Sequence, residues 1–90
     1  GFVWGLSAAV KSEITLSNGA VDQSSFFDFE VCRMPEVPKI EIHVIPSTEE
    51  PGGAGETSVP SVMPALMNAL AAATGKRIYT MPLKKAGYSL

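Results

Sequence analysis

Ninety residues bound the chain to one small unit, in which 46% hydrophobic against 18% charged residues describe a globular interior, with disorder expected only at the ends and in the glycine loop. A formal net charge of −2 and a pI near 5.2 provide no basic face for nucleic acid. A single cysteine, Cys32, excludes an internal disulfide and a Cys-based zinc site, and no run approaches the roughly 18 apolar residues of a membrane span. The mean hydropathy of +0.18 means more apolar area than a monomer of this size hides easily, which points to a segment of, or a piece docked into, a larger body.

In chain order, Phe2, Val3, Leu6, Ala9 and Val10 have helical spacing with no N-cap ahead of them, as though the chain begins mid-element. Glu13 to Leu16 reads as a strand. Asn18-Gly19 then predicts a type I′ hairpin turn that sets Leu16 opposite Val21, because both turn positions tolerate positive φ. The second strand is expected to run towards Phe27, and Phe27, Phe29 and Val31 alternate with Asp28 and Glu30 as in an extended segment. Pro35 and Pro38 carry the chain out of the sheet, and Lys39 to Ile45 is the clearest strand, with Ile40, Ile42 and Val44 on one face and Glu41 and His43 on the other. His43 has no second ligand at metal-binding spacing and reads as a half-exposed strand residue.

Pro51-Gly52-Gly53-Ala54-Gly55-Glu56 is the stretch the rest is organised around: thin, conformationally free backbone ending on a carboxylate. It lacks the Gly-Lys-Ser/Thr of a phosphate loop and the third glycine of a dinucleotide fingerprint. A helix follows over about residues 61 to 74, with Val62, Ala65, Leu66, Ala69, Leu70 and Ala73 at i, i+3, i+4 spacing, Ser61 as N-cap, Pro64 in the first turn and Gly75 as terminator. Met63, Met67 and Ala71 make it apolar nearly all round, a helix that wants neighbours on several sides. Arg77 to Met81 is short and β-like, and residues 84–90 read as a tail. The expected fold is α+β: an antiparallel hairpin and further strands packed with one long apolar helix and a short N-terminal helix.

The string Pro51-Gly-Gly-Ala-Gly-Glu56, with Pro60-Ser-Val-Met-Pro64-Ala-Leu-Met-Asn68-Ala69 and Ala73-Thr74-Gly75-Lys76-Arg77 behind it, resembles the C-terminal end of the large, molybdopterin-binding subunit of the molybdenum hydroxylases. The xanthine oxidase and aldehyde oxidoreductase superfamily is meant, and within it the isoquinoline 1-oxidoreductase beta-type chain is the nearest in pattern. Gly5-Leu6-Ser7-Ala8-Ala9, Glu13-Ile14-Thr15, Arg33-Met34-Pro35-Glu36-Val37-Pro38 and Ile40-Glu41-Ile42-His43 extend the resemblance over nearly all 90 residues. It implies that residues 1–90 are one segment of a larger molybdopterin-binding domain, with the glycine loop at 51–57. The implied activity is oxidative hydroxylation of an N-heteroaromatic or aldehyde substrate at a molybdenum centre held by a pterin dithiolene. Glu56 inherits the role of active-site base, and Gly53, Ala54 and Gly55 that of cofactor contacts, with no residue here ligating the metal.

Thr57 stands where many members carry proline and Ala54 where valine is common, so the exit from the loop is looser than the family pattern. The remainder of the large subunit and a small iron–sulfur subunit are the implied partners, because a single cysteine cannot hold such clusters. The segment is expected to bind no cofactor and to be inactive alone. No secretion signal is visible in this stretch, so the compartment stays open between cytoplasm and periplasm. Two readings of other classes stand beside this one: a small α+β module holding an anion at a helix N-terminus or binding a protein, and a domain that self-associates through its apolar helix.

Overall fold

The computed structural model describes residues 1–90 as two α-helices, one two-stranded antiparallel sheet and two 3-10 turns, joined by long irregular segments. Helix α1 spans Phe2–Val10 and helix α2 Val59–Thr74. Strands β1 (Leu16–Ser17) and β2 (Ala20–Val21) pair around the Asn18-Gly19 turn, and the 3-10 turns are Met34–Glu36 and Leu83–Ala86.

The core lies where α1 crosses α2 and Leu83 closes the junction. Leu6, Ala9 and Val10 from α1 meet Val62 from α2 and Leu83, which is 1% exposed. Gly5 lets the two helices approach. A Cβ there would stand 2.8 Å from the Val59 carbonyl oxygen and 2.8 Å from Val62 Cβ, so any side chain would push the helices apart. Ser7 is buried in the same place with its hydroxyl fully used: Oγ donates to the Val3 carbonyl at 2.7 Å and accepts the Cys32 amide at 2.9 Å, tying the incoming chain to α1. Cys32 itself is half-buried.

The hairpin forms with the expected register, Leu16 opposite Val21, and Asn18 (φ 51°) and Gly19 (φ 82°) take the positive dihedrals a type I′ turn demands. The wider expectation of an α+β fold with further strands is corrected. The second strand stops at Val21. Residues 24–29 instead fold into a turn in which the Asp28 carboxylate accepts the Ser24 and Ser25 amides at 2.9 and 2.8 Å, and the Ser25 carbonyl accepts the Phe29 amide at 2.9 Å. A carboxylate that gathers its own backbone competes directly with a sheet ladder. Residues 39–45 form no strand and make no backbone hydrogen bond, and Arg77 to Met81 is not a strand either. The alternation that suggests a strand reports a pattern of faces, and a ladder also needs a neighbouring backbone.

The helix expectation is corrected as well. α2 begins two residues before Ser61, with Ser58 in the capping position and Pro60 in the first turn, which leaves Pro64 inside the helix without an amide to give the ladder. Its termination at Gly75 (φ 71°) is as expected, and the Gly75 amide donates to the Ala71 carbonyl at 2.8 Å. Of its side chains Val62 alone is buried, so α2 is packed along one line against α1 and is not the all-round buried helix that the sequence suggests.

The backbone makes 35 internal hydrogen bonds, where a typical globular chain of this length makes roughly 60. Its radius of gyration is 15.8 Å against about 12 Å for a compact domain of the same length. Most of the apolar surface therefore stays open, with Ile42, Val44, Ile45, Phe27 and Met34 all more than 80% exposed.

Candidate functional site

The glycine loop leaves the preceding arm at Pro51 and enters α2 through a turn in which the Val59 amide donates to the Glu56 carbonyl at 2.9 Å. Gly1 seats the loop on α1: a Cβ there would fall onto Ser58 Oγ and the Gly55 carbonyl, so the helix start and the loop exit touch through backbone. Gly53, Ala54, Gly55 and Glu56 are all exposed. Around Gly52 and Gly55 an added Cβ would meet nothing within 4 Å.

The expected use of positive φ in this loop is not found. The left-handed glycines are Gly19, Gly75 and Gly87, so the glycines of 52–55 hold ordinary backbone angles. Their open faces leave steric room on the solvent side, the room a bulky group approaching the backbone requires.

Ala54 and Ser58 line one wall of a cleft of about 580 Å³, with Phe2 and Val3 of α1 below and Ile40 to His43 of the arm opposite. Glu41 and His43 thus share the cleft with Ala54, a juxtaposition of residues 11 or more apart that sequence spacing does not reveal. Glu56 does not line that cleft. Its carboxylate lies back over its own loop, with Oε1 3.5 Å from the position of a Cβ on Gly53. A second, apolar groove of about 440 Å³ runs between Phe2 and Leu6 of α1 and Val62, Ala65, Leu66 and Ala69 of α2. No group of three or more His, Cys, Asp or Glu stands together to hold a metal ion.

The first turn of α2 has few free donors. The Val59 amide is used by Glu56, Pro60 has none, and the Ser61 and Val62 amides both reach the Ser58 carbonyl at 3.2 Å. A helix end so occupied has lost the outward N–H groups that bind anions.

Carboxylates elsewhere are engaged in holding the chain. Lys11 Nζ donates to Glu36 Oε1 at 2.6 Å, and Glu36 Oε2 accepts the Arg33 amide at 2.7 Å. That pair holds the Glu36 carboxyl below its ordinary range and raises Lys11, each because the other's charge is a hydrogen-bond partner. Asp28 is lowered to about 2 by the Ser24 and Ser25 backbone amides. Thr15 and Ser17 hydroxyls lower Asp22. Lys85 pairs with Glu13, and Lys84 with Glu30 at 3.3 Å, which brings the 3-10 turn Leu83–Ala86 back to the first third of the chain. Sequence reading misses the three Lys–Glu pairs because their partners, 25, 54 and 72 residues apart, leave no local pattern.

Among proteins of known name, this chain is 29% identical over 86 residues, 96% of its length, to the beta subunit of an isoquinoline 1-oxidoreductase from Brevundimonas diminuta. It is 33% identical over 84 residues, 93% of its length, to a membrane-bound aldehyde dehydrogenase (pyrroloquinoline-quinone) of Gluconacetobacter polyoxogenes. A nicotinate dehydrogenase subunit from Pseudomonas putida is 32% identical over 79 residues, 86% of this chain. The matches fall on the chain type that the sequence pattern resembles, the large subunit of the molybdenum hydroxylases. It spans 11%, 11% and 7% of the length of those three relatives, a small part of a large-subunit sequence. No protein-family model matches the chain. No solved structure matches it either.

Proposed function

We propose that residues 1–90 act as one segment of the catalytic large subunit of a molybdenum-dependent oxidoreductase that hydroxylates an N-heteroaromatic or aldehyde substrate. Glu56 is the base, and Gly53, Ala54 and Gly55 are the backbone against which the cofactor rests. The observation that carries this reading is a match to oxidoreductase sequences running through 96% and 93% of the chain, together with a glycine loop that is exposed and ends on the exposed Glu56.

The residues present fit such a role in one specific way. A Cβ added at Gly52 or Gly55 would meet nothing within 4 Å, so the backbone there is open to approach, and no cluster of metal-ligating side chains stands in this chain, so the cofactor's other contacts belong to the remainder of the large subunit. When bound, the cofactor supplies the redox chemistry. Glu56 would serve as the proton acceptor, its carboxylate taking up a proton released in the hydroxylation that the bound cofactor would carry out, a contribution of about 10² to 10⁴ in rate. The exposed, unpaired setting of Glu56 in the chain leaves it free to take up that proton. An iron–sulfur subunit is the proposed electron-transfer partner, since the names of two relatives designate them subunits of larger assemblies.

One relative's name carries pyrroloquinoline quinone, and this supports a second reading in which the same loop serves a quinone-dependent dehydrogenase. Cofactor analysis of the purified full-length enzyme separates the two. Molybdenum with a pterin supports the first reading, and a quinone without molybdenum supports the second. In the molybdenum reading, Glu56→Gln in the full-length enzyme retains the cofactor and loses turnover; retained turnover refutes Glu56 as base.

A further inference from the structure

We propose that Asn18 is a site of spontaneous covalent modification, losing its side-chain amide through the Asn18-Gly19 turn to give aspartate and isoaspartate. The nucleophile is the Gly19 amide nitrogen, next in the chain, and the electrophile is the Asn18 side-chain carbonyl carbon. Glycine hinders this attack least of all residues, since no Cβ crowds the nitrogen. Space is open around it as well: a Cβ built at Gly19 would meet nothing within 4 Å.

The hairpin leaves both groups free. Its ladder pairs Ser17 with Ala20 and Leu16 with Val21 and passes the two turn residues by, and no turn or loop hydrogen bond uses the Gly19 amide. Side-chain hydrogen bonds join Thr15 to Asp22 and Gln23 at the other end of the hairpin, and none involves Asn18. Asn18 and Gly19 are exposed, and strands of two residues each are too short to hold the tip rigid. Asn68, the other asparagine of the chain, is an internal comparison. It is exposed too, but it lies inside α2, its Oδ1 accepts Arg77 Nη1 at 2.8 Å, and the residue after it is Ala69, whose amide belongs to the helix ladder.

Attack by the deprotonated Gly19 nitrogen forms an N–Cγ bond; the Cγ–Nδ2 bond breaks, ammonia leaves, and a cyclic succinimide closes between residues 18 and 19. Water then opens the ring, with no electron gained or lost. Addition at Cγ restores an ordinary peptide bond beside an aspartate side chain, whereas addition at the backbone carbonyl gives isoaspartate, in which the chain runs through Cβ and Cγ. Either product adds one negative charge to a chain of net charge −2. Their effects on the fold differ. Asp-Gly still suits a type I′ turn, but isoaspartate inserts a further backbone atom into a connection whose length sets the Leu16–Val21 register.

The test is incubation of the natural full-length polypeptide in mildly alkaline heavy-oxygen water, followed by mass analysis of tryptic peptides 12–33 and 40–76. Heavy oxygen marks the acid formed during the incubation. Label accumulating at Asn18 at least about tenfold faster than at Asn68 is the expected result. Equal rates at the two positions, or no label at Asn18, overturn the proposal. Asn18→Gly keeps a turn of the same type and should abolish the label in peptide 12–33; label that persists there comes from Gln23 and overturns the assignment to Asn18. In the isoaspartate fraction the Asp22 amide, which donates to the Thr15 carbonyl at 2.9 Å, should exchange with solvent faster than in the unmodified polypeptide. Unchanged exchange there overturns the claim that the modification disturbs the register.

Discussion

The α1–α2 junction and the arm from Val37 to Gly55 both carry large apolar side chains and end in opposite states. At the junction Leu6, Ala9, Val10, Val62 and Leu83 are buried, while along the arm Ile42, Val44 and Ile45 stand in solvent. A helix closes its own hydrogen bonds and needs only one apolar stripe covered, so two helices and a turn can satisfy each other. A strand cannot do this. The arm teaches that a chain can carry the whole side-chain pattern of a strand and still lack the partner that makes one.

Substitutions at the junction should therefore be costly and those on the arm nearly silent. Leu83→Ala removes the plug between the helices and is expected to cost about 2–5 kcal/mol, read as a lowered thermal midpoint or outright loss of the helical signal. Gly5→Ala adds one carbon onto the Val59 carbonyl and should cost about 1–3 kcal/mol despite alanine's better helix propensity, by denaturant unfolding. An unchanged midpoint would mean that the helices do not cross as closely as described.

The Asp28 turn lies between these extremes and gives a pH signature. Its carboxyl is lowered to about 2 from an ordinary value of 3.8, so its contribution is fully present above pH 4 and is lost as pH falls towards 2. The Ser24 and Ser25 amide resonances should shift through that window, and Asp28→Asn should flatten the profile. A midpoint near 3.8 would indicate that the amides are not held by the carboxylate. Smallest of all, Ile42→Ser in the 90-residue chain should change stability by no more than about 0.5 kcal/mol, because nothing covers that side chain.

What can be read from sequence follows the same division. The Asn18-Gly19 turn with its Leu16–Val21 register and the helix stop at Gly75 depend on neighbours a few positions away, and they are found. The helix start differs from the expected one: Ser58 takes the N-cap position without a side-chain cap hydrogen bond, and Ser61 lies inside the first turn. The missing strands at 27–31, 39–45 and 77–81 depend on partners the pattern does not specify. Gly5 reads locally as a weak helix residue, and its purpose emerges only once α2 lies across it. Glu56 is singled out by the glycines before it and by family resemblance, and the fold adds that its loop faces outward.

Two carboxylates flank the glycine loop, Glu50 and Glu56, equally exposed and six positions apart, and the proposed mechanism assigns the chemistry to one of them. Turnover of Glu50→Gln and Glu56→Gln in the full-length enzyme, each with its cofactor content measured, tests that assignment most directly. The account predicts near-normal turnover for Glu50→Gln and a loss of about 10² to 10⁴ for Glu56→Gln at unchanged cofactor content. Similar turnover in the two variants would contradict it.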